Sequence, residues 1–211
     1  MVIRVQGLRN ATGPLRPGDV VLMKYTSLDT PALVFYQVAK WGFEEGYTVV
    51  VSDVLNSMYL YKQHLKMMGI DTSFMDELYS IKWGGNLKVG NVVRTVPIGS
   101  PAVEVIGEYR RALDELLQCE GNILELFTGS EKVFIPYLQS IEDIVVILNS
   151  MLPHLGHERM ISFYLLNSDI AEGISGLVAR AFEGVATVIV NCRTERSGTK
   201  VSYEVVKRIG P

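Results

Sequence analysis

The run Tyr25-Thr26-Ser27-Leu28-Asp29-Thr30 follows a short apolar stretch and precedes Pro31, a residue suited to the first turn of a helix. A polar loop between a strand end and a helix N-terminus is the usual ligand position in an open α/β sheet. Hydroxyls and backbone N–H groups placed there can hold an anion or a small polar molecule. A second reading fits the same residues: Asp29 or Thr30 caps the helix and binds nothing. An acidic side chain repels phosphate and weighs toward capping. Asp53 closes another apolar run, where a carboxylate can activate water or cap the following turn.

Other reactive types are present without the partners their chemistry needs. Ser27, Ser52 and Ser57 stand near Asp53, but no Gly-x-Ser-x-Gly turn occurs and no histidine is placed as base. His154-x-x-His157 has only Glu158 as a nearby third zinc ligand, and Pro153 and Gly156 make the segment a surface loop. His64 falls in a helix with no evident partner. Cys119 and Cys192 are too few for a disulfide framework or a four-cysteine zinc site and read as reduced, buried thiols. No catalytic residue, metal site or cofactor is therefore expected.

The elements that must position these residues alternate between β-branched apolar runs and helix-period segments, the pattern of a mainly parallel sheet flanked by helices. Val20–Met23 reads as a buried strand after the turn at 14–19. Pro31 opens a helix with Val34, Val38 and Trp41 on one face, ended by Gly46, and 48–53 is the next strand. A helix over 57–68 carries Tyr59, Tyr61, Met67 and Met68, read as core packing with a partner-binding face as the alternative. Residues 81–97, punctuated by Gly84-Gly85-Asn86 and Val89-Gly90-Asn91, predict a hairpin or meander. Trp83 and Leu87 in it look exposed, suited to covering a cleft or touching another subunit. Val105, Tyr109, Ala112 and Leu116 stripe a helix that opens at Ser100-Pro101. A strand over 122–127, a helix over 139–152 and a strand over 160–166 follow. Asp169-Ile170-Ala171-Glu172 fits a capping box that starts a further helix. Strands over 185–192 and 200–206, joined by Glu195-Arg196-Ser197-Gly198, predict a closing antiparallel hairpin.

Bulk properties agree with one core-rich domain over residues 1–211: 48% of residues are hydrophobic, and no Pro/Ser-rich linker divides them. A net charge of −3 gives no strong nucleic-acid or anionic-membrane signal. The opening MVIRVQGLRN lacks a signal peptide's apolar core, and no 18-residue apolar run is present, so a cytoplasmic location is expected.

Several phrases carry a resemblance. GPLRPGDVVLM (13–23), YTVVVSDVLNSMYLYKQHLKMMGID (47–71) and AEGISGLVARAFEGVATVIVNCRTERSGTKVSYEVVKRIG (171–210) resemble the KaiC/RecA branch of the P-loop ATPases. Within it the chain is most similar to small uncharacterised proteins of heat-loving archaea. The resemblance implies a RecA-like sheet with a C-terminal antiparallel hairpin. It also implies where an ATPase site would sit, and there the chain departs from the family. The P-loop needs Gly-x-x-x-x-Gly-Lys-Ser/Thr, whose amides wrap phosphate, whose lysine neutralises it and whose hydroxyl holds magnesium. Alignment on Val20-Val21-Leu22 puts Tyr25 and Thr30 at the glycines, Pro31 at the lysine and Ala32 at the hydroxyl. The second motif's aspartate is replaced by Thr128-Gly129 after Ile123–Phe127, or by Pro136 after the alternative strand 132–135. Asp53 lies near the family's water-activating carboxylate. Lys207 matches a lysine that reaches a neighbour's nucleotide in ring assemblies, whereas Ile209 takes the arginine's place and Arg208 is shifted by one residue.

These departures imply a non-catalytic protein, a pseudo-ATPase that works through protein contacts or self-assembly, as a homo-oligomer or with a partner protein. Trp83, Lys207 and Arg208 are its candidate contact residues. The alternative is an enzyme or sensor that binds a small ligand through a remodelled 25–31 loop, with Tyr25, Thr26, Ser27, Asp29, Thr30 and Asp53 as candidates.

Overall fold

The computed structural model describes residues 6–119, 121–195 and 200–209. In chain order the elements are α1 (Gln6–Thr12), β1 (Val20–Tyr25), α2 (Pro31–Glu44), β2 (Thr48–Val54), α3 (Ser57–Met67), β3 (Tyr79–Trp83), β4 (Asn91–Val96), α4 (Ala102–Cys119), β5 (Ile123–Thr128), α5 (Ile141–Asn149), β6 (Met160–Asn167), α6 (Ser168–Ile174), α7 (Gly176–Val185), β7 (Val188–Thr194) and β8 (Val201–Arg208). The strands form one eight-stranded sheet in the order β4-β3-β2-β5-β6-β1-β7-β8. All pairs are parallel except β7–β8, the antiparallel hairpin expected from the sequence. Its expected turn at 195–198 falls mostly on residues outside the described ones.

The central strands are apolar on both faces because helices cover both. Val20, Leu22, Val50, Ile123 and Phe127 face a core closed by α4, α5 and α7. Val21, Met23, Val49, Leu124 and Phe163 face one closed by α1, α2 and α3. The stripe expected on α4 is buried: Val105, Tyr109, Ala112 and Leu116 are each at most 5% exposed. Each large apolar side chain fully removed from water contributes about 1.5–3 kcal/mol, so this stripe is what seats α4 on the sheet. Gly18 does a different job. Its φ is +92°, and a Cβ there would lie 2.7 Å from Gly156 Cα. The close approach lets Gly156 N–H donate to Gly18 O at 2.9 Å, tying the segment before β6 to the turn before β1.

Several expectations are corrected. Residues 84–90 do not make a hairpin. Gly84, Gly85 and Gly90 take φ of +64°, +71° and +75°, and the chain runs back along β3 until Asn91 N–H donates to Leu78 O at 2.8 Å. β4 therefore starts beside Tyr79 and runs parallel to β3. Seven residues reach about 23 Å, enough to retrace a five-residue strand of about 16 Å. Trp83 is not exposed: it is 1% accessible and packs on Tyr109 and Phe127 at ring distances of 4.9 and 5.2 Å. The Asp169 capping box does not form, because Asn167 is the cap, its side chain accepting from the N–H groups of Asp169 and Ile170. The expected helix there is broken at Ser175, which separates α6 from α7. On α3, Tyr61 is core, whereas Tyr59 and Met67 are 38% and 85% exposed.

Candidate functional site

The carboxyl ends of β1, β2, β5 and β6 bring the loop at 25–31 together with Asp53, Glu131 and Asn167. The β1–α2 loop is drawn inward by its own carboxylate. Asp29 Oδ2 accepts from Thr26 N–H at 2.8 Å and from Thr26 Oγ1 at 2.7 Å, and its Oδ1 accepts from Thr194 N–H at 2.7 Å. Ser27 N–H donates to Asp169 Oδ2 at 2.8 Å, and Thr30 N–H donates to Thr194 Oγ1 at 2.7 Å. Asp29 N–H donates to Thr26 O at 3.0 Å. The backbone donors of Thr26, Ser27, Asp29 and Thr30 are thus used within the chain, and Pro31 has none. Thr30 is the N-cap of α2, one of the two expected assignments, but it makes no side-chain cap bond. Burial would raise the Asp29 carboxyl. The bonds from Thr194 and Thr26, with Arg193 nearby, outweigh burial and hold its pKa below the ordinary value.

Tyr25 ends β1 with its side chain buried and its OH 3.4 Å from that of Tyr61. Burial drives both phenols above their usual range. Asp53 is 1% exposed and fully engaged. Lys82 Nζ donates to its Oδ2 at 2.8 Å, and Met58 N–H donates to its Oδ1 at 2.8 Å. Lys82 also donates to Asn56 Oδ1 at 3.0 Å. Asn56 stands at φ +65°, and a Cβ on Gly85 would come within 2.4 Å of its side chain. The turn expected after Asp53 is therefore capped, but by a residue that is also half of a buried ion pair. β5 ends in Thr128, whose Oγ1 donates to Ser52 O at 3.2 Å. The alternative strand at 132–135 lies instead in a 3-10 segment, Ser130–Tyr137. Next to Thr128, buried Glu131 accepts Asn167 N–H on Oε2 at 3.2 Å, and burial raises its pKa. Lys132 Nζ donates to Ser57 Oγ at 2.9 Å.

Two of the expected contact residues are spent on their own chain. Lys207 Nζ donates to Glu183 O at 2.7 Å. Arg208 donates to the carbonyls of Thr12 and, at 2.8 Å, Pro14. Trp83 is buried, whereas Lys207 and Arg208 remain partly exposed. Burial raises the Cys192 thiol, and the Cys119 side chain lies outside the described residues.

Sequence reasoning missed a second polar cluster, on the α4 face of the sheet. Glu125 is 0% exposed in the middle of β5. Ser52 Oγ donates to its Oε1 at 2.8 Å, and Tyr109 OH lies 2.8 and 2.9 Å from its two oxygens. His154 Nε2 is 3.1 Å from Tyr109 OH. Its Nδ1 is 3.0 Å from Tyr164 OH and 3.1 Å from Ser162 Oγ. When Glu125 is ionised, Tyr109 gives its one proton to the carboxylate, and His154 then donates from Nε2 and accepts on Nδ1. Burial pushes Glu125 up to about 7, against the bonds from Ser52 and Tyr109. Burial, with His157 and Arg110 adding to it, pushes His154 down to about 4. His154 was expected on a surface loop, yet it is 4% exposed. The available signal was a lone glutamate inside the apolar run Ile-Leu-Glu-Leu-Phe.

No group of three or more potential metal ligands is present among the described residues, and no described helix is long and apolar enough to cross a membrane. No functionally curated protein matches the chain. The solved structure of PH0250 from Pyrococcus horikoshii OT3 is similar, with a TM-score of 0.79 at 22% identity over 99% of this chain and 94% of the other. The KaiC-like protein PH0186 from the same organism has a TM-score of 0.55 at 10% identity over 94% of this chain and 82% of the other. With the parallel sheet and its C-terminal hairpin, that similarity makes the fold RecA-like. The chain matches the family described as "Pyrococcus protein of unknown function, DUF257" over residues 12–211, and it belongs to that family.

Proposed function

We propose that this DUF257 protein is a RecA/KaiC-like pseudo-ATPase, a single non-catalytic domain that has lost ATP binding and hydrolysis and works through protein contacts or self-assembly. One observation carries the reading: the β1–α2 loop is closed on Asp29. Its backbone donors face Asp29, Asp169 and Thr194 instead of an open cradle. A phosphate would have to displace these acceptors and then sit beside two carboxylates. At 4 Å and an effective dielectric near 20, two like unit charges repel by about 4 kcal/mol. The replacements at Tyr25, Thr30, Pro31 and Ala32 act in the same direction. So do Thr128 at the end of β5 and the neutralisation of Asp53 by Lys82.

Protein contacts are supported by apolar side chains left on the outer surface of α5, α7 and the turn between α5 and β6. Val145, Leu152 and Leu177 are 43%, 50% and 48% exposed and line one shallow groove. The closed loop weighs against the alternative of a small ligand bound through residues 25–31, because the backbone donors of Thr26, Ser27, Asp29 and Thr30 already have acceptors within the chain. A thermal-shift titration with magnesium-ATP, combined with light scattering and a pull-down, tests the proposal. No shift together with a defined assembly or a captured partner supports it. Saturable stabilisation by nucleotide, turnover above background, or a monomer without a partner overturns it.

A further inference from the structure

At the opposite end of the sheet, before β6, a cavity of about 250 Å³ lies between α4 and the segment at 150–157. It is smaller than the pockets of about 300–1,000 Å³ that hold drug-sized ligands, so its occupant is small. Leu113 and Met160 are buried in its floor, and Leu117 is half-buried in its wall. His154 also belongs to the floor. Tyr109, Ser162 and Tyr164 take up both of its ring nitrogens, which leaves ring carbons to face the space. The interior therefore offers an apolar surface.

The rim carries opposite charges. Arg110 and Asp114 are exposed one turn apart on α4 and line the same cavity, and neither is in an ion pair among the described residues. Side chains at i and i+4 project from neighbouring points about 5–6 Å apart. His157 lines the same cavity, and its Nδ1 accepts Arg159 N–H at 3.2 Å. Its proton therefore resides on Nε2, a donor free to serve an anion. A guanidinium with an imidazole N–H suits a carboxylate, and the aspartate suits an ammonium.

We propose that this cavity binds a small zwitterion with an apolar body, the class of the apolar α-amino acids. The carboxylate pairs with Arg110 and the His157 N–H, the ammonium with Asp114, and the side chain fills the space over Leu113 and Met160. The site is remote from the β1–α2 loop and does not depend on the fate of nucleotide binding.

Calorimetric titration of the full chain with L-leucine and L-methionine tests this, with 4-methylpentanoate and isoamylamine as probes that lack one charge each. Saturable binding of the amino acids is expected, and each truncated probe binds about tenfold more weakly, or 1.4 kcal/mol. Arg110→Gln should weaken leucine but not isoamylamine, and Asp114→Asn should weaken leucine but not 4-methylpentanoate. Both residues are exposed, so both variants should keep the wild-type melting temperature. Leu117→Trp should block every probe by filling the space from its wall. No saturable amino-acid binding up to about 10 mM, equal binding of leucine and either truncated probe, or unchanged leucine binding in both charge variants overturns the proposal.

Discussion

The carboxylate of Asp29 accepts the backbone N–H of Thr194 at 2.7 Å, joining the first βα loop to the end of β7 across 165 residues of chain. The same carboxylate holds Thr26. Asp29→Asn keeps one acceptor oxygen and loses the charge, leaving a donor short of its partner at a cost of about 1–3 kcal/mol. The folded carboxyl has a lowered pKa, so its stabilisation is complete above the unfolded value of 3.8 and is lost as pH falls through the folded value. Urea unfolding should show a constant gap between wild type and variant above about pH 5, closing in stronger acid.

Lys82 and Asp53 form an ion pair with side chains 2% and 1% exposed. Lys82→Met strands a buried carboxylate and should cost about 3–5 kcal/mol. Adding Asp53→Asn removes that charge and should recover part of the loss. Thermal unfolding of the single and double variants checks this, and additive losses would contradict it.

Glu125 and His154 bias stability in opposite directions as pH changes. Glu125 rises from 4.5 to about 7 on folding, so the folded state binds more protons between these values and stability falls as pH rises through them. His154 drops from 6.5 to about 4, so the unfolded state binds more protons there and stability rises with pH. Where the windows overlap the two slopes oppose each other. Glu125→Gln should leave the rising slope uncovered, and His154→Gln the falling one. Unfolding free energies across that window check this, read as differences from wild type.

Arg208 bonds to the carbonyls of Thr12 and Pro14, at the end of α1 and just beyond it. Arg208→Ala should loosen the N-terminal helix, lowering stability by about 1–2 kcal/mol and speeding proteolysis before Pro14. It should leave the oligomeric state unchanged. A shift in light-scattering mass without a change in proteolysis would instead place Arg208 in a subunit contact.

The parts of the fold that were legible in the sequence rest on local periodicity. Val34, Val38 and Trp41 on α2, and Val105, Tyr109, Ala112 and Leu116 on α4, are buried as their spacing demands. What was misread depends on long-range contacts. Glycines at 84, 85 and 90 look alike whether they make a hairpin or lead the chain back along β3. Trp83 looked exposed because glycines follow it, but the rings that cover it come from α4 and β5. Asn167 won the cap because it is the residue β6 delivers to the helix start. At the candidate site, the altered phosphate-loop positions were visible. The acceptors that close the loop were not, since Asp169 and Thr194 are distant in sequence.

Calorimetric titration of the chain with magnesium-ATP asks whether phosphate can open the loop that Asp29 closes. No saturable heat is expected at nucleotide concentrations up to about 1 mM, from ATP or from ADP. Saturable binding abolished by a substitution in the 26–30 loop would contradict it.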